Sequence, residues 1–306
     1  MENNKAIKFF KNMMSPGKTI RTQAESDFEK IKSYPFKESF PIFQEGIKST
    51  DKKICQFATL MMKKMYLDNN EIIDKYINDL ETIKNFILSQ ITFNNQDWDT
   101  LKRFGEVLAM IYQRRKENNY NFEEIMQIFN KNEFLARKLA LFIISNLSEL
   151  GVINDNFVKQ NGNDFIQIFK VTMEDKTDEV KSSAIIAFNK FIVNLKEENV
   201  QGAFSILINP LLQNILSLFK EKVELEKEIF DSLIFLADSY PKFFINNLNE
   251  IIEFVCKIAS EIKIDFRLRI SSLEIIYTLA HSIPAKIREN QTFVKIFIPL
   301  IFNLIL

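Results

Sequence analysis

Residues Glu174 to Leu195 read EDKTDEVKSSAIIAFNKFIVNL. An acidic lead-in is followed by an apolar residue, Val180, and a basic one, Lys181. A small residue, Ala184, stands four positions after the first, and an apolar helical stripe completes the stretch. Residues four apart share one face of a helix, so Val180 and Ala184 point the same way. A small side chain there lets a neighbouring helix come close. Lys181 sits one step round, at the edge of that face, in reach of an acid on an adjacent helix pair.

The arrangement recurs along the chain. Ile20-Arg21 leads to Ala24, Ile54-Cys55 to Ala58, Leu101-Lys102 to Gly105, and Ala136-Arg137 to Ala140. Leu225-Glu226 then leads to Ile229, and Leu268-Arg269 to Ser272. The apolar anchors are 34 to 47 residues apart, the period of two-helix solenoid repeats. Five of the seven copies keep a cation at the second position and six keep Gly, Ala or Ser at the fifth, more agreement than a loose pattern gives by coincidence. A helix pair of this kind cannot bury its apolar face alone, so pairs stack. The expected fold is an all-α superhelix of about seven helix pairs plus one terminal helix. Ala24, Ala58, Gly105, Ala140 and Ala184 should be buried where repeats meet. Arg21, Lys102, Arg137, Lys181 and Arg269 should form a ladder between repeats.

Composition agrees with an all-helical chain. In 306 residues there are only 6 Gly and 7 Pro, and strand-like alternation is almost absent. Thirty Phe against one Trp predict a core padded with aromatics. Lys plus Arg equals Asp plus Glu at 40 each, so no bulk attraction to nucleic acid follows. Residues 1–67 carry 13 basic and 7 acidic side chains, a basic end on a mildly acidic body. Cys55 and Cys256 lie in apolar stripes and read as buried, reduced thiols. The start, MENNKAIKFFKNMM, lacks the sustained apolar core of a signal peptide. No apolar run is long enough to span a bilayer. The last residues, FVKIFIPLIFNLIL, read as a buried helix whose covering repeat would lie beyond Leu306.

In chain order the helices are expected at 3–14, from Thr19 to before Tyr34-Pro35, at 37–48, and from an N-cap at Asp51 through Leu67. The third pair takes 71–89 and about 97–115, separated by Asn94-Asn95. The fourth takes 121–131 and 133–150, closed by Gly151, and the fifth about 163–174 and 177–195. The sixth takes 201–220 and 222–239. Pro241 opens 241–260 in the favoured first-turn position, its partner is 264–282, and a lone helix covers 288–306. No linker divides the chain, so residues 1–306 read as a single solenoid, with the signature on the second helix of each pair.

Catalytic chemistry is hard to place here. The only histidine is His281, which excludes paired-histidine zinc motifs and leaves little scope for a histidine-assisted nucleophile. No glycine-rich loop cradles a phosphate. Acid pairs such as Glu123-Glu124 and Glu197-Glu198 stand at helix starts, where they favour the helix dipole. The reading is a non-enzymatic protein without cofactor or metal. Its charges are more informative. With core residues at 101, 105, 108 and 112, a helix turns positions 103, 106, 110 and 114 the other way. Lys63, Lys64, Arg103, Glu106, Arg114 and Lys138 should therefore form one charged band along the first four second helices, open to a charged partner.

The opening SPGKTIRTQAESDFEKI, with Arg21, Ala24 and Glu25, resembles the first repeat of the importin-β (karyopherin-β) receptors. SLIFLADSYPKFF (Ser232 to Phe244) and SLEIIYTLA (Ser272 to Ala280) are similar to the sixth and seventh repeats of the importin-5 (importin β3) branch. The resemblance covers essentially the whole chain and keeps repeat order. It implies HEAT repeats, with first helices outside and second helices inside, and a nuclear transport receptor shuttling between cytoplasm and nucleus through the nuclear pore. It makes Ran in its GTP form the partner of the charged band. It also implies Phe-Gly nucleoporins on outer helices and basic cargo such as ribosomal proteins or histones, with no direct nucleic-acid or membrane partner. Copies two and six lack the cation (Cys55, Glu226), and members of the family are considerably longer. The alternative is a HEAT scaffold outside transport, organising a phosphatase or cytoskeletal complex.

Overall fold

A computed structural model describes residues 3–68, 70–93, 96–114, 122–218 and 223–305. Every regular element among them is helical, and contacts group the chain into two compact units, Met1–Ile143 and Ile144–Leu306. The first unit runs α1 (Asn3–Met13), α2 (Lys18–Lys32), α3 (Phe36–Ile47), α4 (Lys52–Tyr66), α5 (Asn70–Lys75), α6 (Leu80–Gln90), α7 (Trp98–Arg114) and α8 (Phe122–Phe129). It ends within α9 (Phe134–Glu149), which crosses the boundary. Second helices lie against their own first helices, as α2 does on α1, α4 on α3 and α7 on α6, and α4 and α7 also lie against each other.

The second unit continues with α10 (Asp155–Met173), α11 (Asp178–Asn194), α12 (Glu198–Gly202), α13 (Ile208–Leu218), α14 (Val223–Ser239), α15 (Leu248–Ser260), α16 (Phe266–Ser282), α17 (Pro284–Glu289) and α18 (Ile298–Ile305). Here α11, α14 and α16 form one layer and α10, α13 and α15 the other, with contacts running across the layers. Within each unit this is the two-layer stacking of a HEAT solenoid.

The signature positions do what their spacing requires. Ala58, Ala140 and Ala184 are fully buried and Ala24 nearly so, as are the anchors Ile54, Leu101, Ala136, Val180 and Leu268. Ile20 departs from the rule and is half exposed. Leu225 and Glu226, which carry the sixth copy, lie outside the described side chains. Close approach is measurable at two glycines. A Cβ on Gly105 would stand 2.9 Å from Cδ1 of Leu139 on α9. A Cβ on Gly46 would stand 2.7 Å from the Ala58 Cβ and closer still to the Phe10 ring. Aromatic clusters fill the space between layers. Phe10, Phe36, Phe40 and Phe43 meet Tyr66 and Tyr76 in the first unit, and Phe165, Phe169, Phe188, Phe191 and Phe204 meet in the second. Cys55 and Cys256 are buried free thiols; burial, with a smaller push from Asp97, raises Cys55 to about 11.

The second helices match their expected spans to within two residues, as do the first helices α1, α3 and α8; the remaining first helices do not. The stretch expected at 71–89 is α5, a 3-10 turn Ile77–Asp79 and α6. The stretch at 201–220 is α12, a 3-10 turn Ser205–Leu207 and α13. Pro241 opens a 3-10 run to Asn247 before α15 begins. Helix α10 starts at Asp155, capped where Asn154 accepts from the Phe157 N–H at 3.2 Å. It bends at Asn161, whose side-chain amide donates to the Phe157 carbonyl at 2.9 Å. The stretch expected at 288–306 takes in the end of α17, a wide π turn Phe293–Phe297 and α18, with Leu306 outside the described residues. Pro299 has no N–H to bond the turn before it, and the wide turn takes up the mismatch. Gly151 closes α9 with φ +69, its N–H donating to the Ser148 carbonyl at 3.0 Å. The turns at Asn69, Asn94-Asn95 and Asn118-Asn119, and Arg115 and Lys116, lie outside the described residues.

Two glycine substitutions of opposite sign check this account. Gly46→Ala should destabilise the chain by about 1–3 kcal/mol, because Phe10 and Ala58 must move. Gly162→Ala, where a Cβ meets nothing within 4 Å, should stabilise it by about 0.4–1 kcal/mol. Urea unfolding of both variants measures the difference.

Candidate partner-binding surface

The expected charged band lies on α4, α7 and α9, and the structure divides its members. Lys63 of α4 reaches across to Glu106 of α7 at 2.9 Å, and Arg103 reaches the same carboxylate at 3.2 Å. These three form a cluster that bridges two repeats. Glu106 is half-buried; its burial favours the neutral acid, but the Lys63 and Arg103 cations outweigh it and hold the carboxyl below its ordinary value. Lys64, one residue on, is exposed and has no ion-pair partner among the described residues. Lys138 of α9 lies 4.2 Å above the Trp98 ring centroid, a cation–π contact that holds its ammonium over the start of α7. Arg114 is half-buried at the end of α7.

Four of the five cations expected to form a ladder have described partners. Arg21 pairs with Glu25 on its own helix at 3.7 Å, and Lys181 with Asp178 on its own at 3.4 Å. Arg269 donates to the Ala259 carbonyl at the end of α15 at 2.8 Å. Lys102 stands 5.6 Å over the Phe142 ring of α9, the one of these four that reaches the next repeat. Arg137 is half-buried on α9. A helical side chain leans over its own neighbouring turns, so acids three or four residues away capture cations such as Arg21 and Lys181 first.

Further polar links between repeats run through positions that the sequence pattern does not mark. Gln56 donates to Asp97 and Thr100 at 3.3 and 3.1 Å, Lys52 pairs with Asp97 at 3.1 Å, and Asn189 donates to Ser232 at 2.6 Å. Lys159 meets Glu197 and Lys242 meets Glu198 at 2.6 and 2.7 Å. The hydrogen-bonded partners are 38 to 44 residues apart, so the signal that could have found them is the repeat offset applied to polar residues. Lys84 is also missed by the pattern. Its side chain is 3% exposed, with the ammonium 2.5 Å from Glu124 and 3.1 Å from Glu81. Tyr112 donates to the other Glu124 oxygen at 2.6 Å, so α6, α7 and α8 share one buried charge network.

Residues 102–254, half of the chain, match the family model described as IPO5-like, TPR repeats. The chain belongs to the importin-5-like family of the importin-β superfamily. This importin-5-like chain is 25% identical to importin subunit beta-3 of Saccharomyces cerevisiae over 196 residues, covering 64% of the chain and 16% of that protein. Among solved structures, Kap121p bound to Nup53p aligns over 97% of the chain with a TM-score of 0.78 at 16% identity. Kap121p bound to RanGTP aligns over the same share with a TM-score of 0.74 at 17% identity. At such identity these likenesses speak to the fold. The chain spans 28% of each of those structures.

The Glu106 cluster predicts a pH dependence. A carboxyl held below its ordinary value of 4.5 contributes stability above that pH and loses it as pH falls through the lower folded value. Glu106→Gln should therefore melt below the wild type at neutral pH. The gap should close as pH is lowered beneath 4.5, read from melting temperatures across a pH series.

Proposed function

We propose that this chain acts as a segment of a nuclear transport receptor and binds Ran in its GTP form through the second helices of its first repeats. Family membership over residues 102–254 carries this reading, and a relative in fold, Kap121p, has been solved bound to RanGTP. Lys64 offers an open charge, and Lys63, Arg103 and Glu106 a cluster fixed in place by their mutual bonds. Arg114 and Lys138 extend the band toward α9. Contacts spread over stacked helices suit recognition of a large charged partner, and they weaken as salt rises. Phe-Gly nucleoporins and basic cargo, including ribosomal proteins or histones, complete the set of partners. The chain shuttles between cytoplasm and nucleus and reads as one solenoid over residues 1–306.

Titration calorimetry with Ran loaded with GTP or GDP tests the reading. Binding should favour the GTP form. Lys64→Glu should weaken it about threefold to fivefold, the weight of one exposed charge pair, without loss of helicity. Lys63→Glu is a poorer probe, because it sets a carboxylate against Glu106 and disturbs the repeat contact. Equal affinity for both nucleotide states, or none for either in a folded chain, would return the protein to the class of scaffolds outside transport.

A further inference from the structure

Of the seven prolines in the chain, only Pro16 follows a serine or threonine. It lies in the connection between α1 and α2, where the sequence reads Ser15-Pro16-Gly17-Lys18. Proline has no N–H and a fixed φ, and it favours an extended backbone in the residue before it. Gly17 is extended as well, with φ −71 and ψ 113. The Ser15 hydroxyl accepts from the Gly17 N–H at 3.2 Å and donates to none of the described residues. Serine followed by proline, with a cation three places on, is the arrangement that proline-directed protein kinases read. The pyrrolidine ring suits a pocket that offers no acceptor to a backbone N–H, and the ammonium meets an anionic site on the enzyme.

The surroundings leave this stretch open. All eight residues from Pro16 to Gln23 are exposed, the longest such run among the described residues. The buried side chains of α2 begin only at Ala24. Ile20, in the anchor position of the repeat pattern, is 51% exposed. No buried side chain therefore pins the first turns of α2 to the core, and a helix end of that kind opens at low cost. The half-buried Ser15 can enter a kinase cleft while Ala24, Phe28 and Ile31 keep the rest of α2 in place. Two cations stand nearby. Lys11 lies four residues before Ser15 and Lys18 three after it, and both are exposed with no ion-pair partner among the described residues.

We propose that Ser15 is a phosphorylation site for a proline-directed kinase, and that the phosphate ties the end of α1 to the start of α2 through Lys11 and Lys18. In the transfer, the Ser15 oxygen bonds to the γ-phosphorus of ATP as the bond to the bridging oxygen breaks. ADP leaves, and the hydroxyl proton passes to the carboxylate base of the kinase. Phosphoserine carries about −1.5 to −2 charges at pH 7 and three strong acceptor oxygens, enough to engage both ammonium groups. The start of α2 then passes from a segment that opens readily to one that is held. The site goes beyond the transport reading and does not depend on it.

Incubating the full chain with a proline-directed serine/threonine kinase, ATP and magnesium tests the proposal, read by peptide mass mapping. One phosphate should enter, at Ser15. Ser15→Ala should take up none, and Ser15→Thr should restore uptake. Pro16→Ala should slow the reaction about tenfold or more, as loss of a pocket contact does. Lys18→Ala should slow it about threefold to fivefold, the weight of one exposed charge pair. Both side chains are exposed, so circular dichroism should not change. Hydrogen exchange across residues 17–23 should slow once the phosphate is present. Lys11→Ala, outside the stretch that the kinase reads, should be phosphorylated at the wild-type rate and yet lose part of that slowing. Phosphate on Thr19, Thr22 or Ser26 instead, or none in a folded chain, overturns the site. Exchange that the phosphate leaves unchanged, or slows equally in Lys11→Ala, overturns the tie between the helices.

Discussion

One helix pair of this chain has more apolar surface than it can hide. In α7 alone, Leu101, Phe104, Val107, Leu108, Ile111 and Tyr112 are buried, more than one partner helix covers. The remainder is hidden only if the next repeat comes close, and closeness is set by the smallest side chains at the contact. Gly105 against Leu139 and Gly46 against Ala58 and Phe10 show how little room is left. Everything else in each unit follows from those approaches: the two layers, the aromatic fill between them, and the side-by-side second helices that carry the surface charges.

Electrostatics plays a secondary part in holding repeats together. The chain is neutral overall, and many of its cations are spent on acids a turn away, where an exposed pair is worth little. The exceptions are instructive. Lys63–Glu106 and Lys84–Glu124 cross between helix pairs with their charges partly or largely withdrawn from water. Losing one partner of such a pair strands the other. These bonds therefore fix the register of neighbouring repeats more than they add to net stability.

The second helices are legible because their signature combines an apolar anchor with a small residue at fixed spacing, and both are answered by burial. The breaks in the first helices are hidden from the same reasoning. Ile73, Tyr76, Leu80, Ile83 and Ile87 are all buried and keep helical spacing straight through the 3-10 turn at Ile77–Asp79. Phe204, Ile208, Leu211 and Ile215 are buried as well, and their spacing runs just as evenly across the turn at Ser205–Leu207. Periodicity reports which face is apolar and is blind to a turn wound tighter. The bend at Asn161 escapes for another reason. Asparagines around Gly162 resemble a loop in sequence, whereas the Asn161 side chain repairs the helix it bends. The charged band is legible as a set of positions. The bonds that immobilise Lys63, Arg103 and Glu106 depend on which helix stands opposite, and one repeat read alone does not contain that information.

The unequal construction of the two layers has a mechanical meaning. The second helices α4, α7, α11, α14 and α16 run 15 to 17 residues without an internal break, and behave as stiff rods. The first-helix layer is segmented, with 3-10, π and bent turns at repeated intervals. A residue rises about 2.0 Å in a 3-10 turn and about 1.5 Å in an α-helix. Rewinding a run such as Pro241–Asn247 would thus change the length of that element by about 3–4 Å. One layer resists stretching and the other contains springs, so within a unit curvature can change by lengthening or shortening the sprung side while the rods keep their contacts.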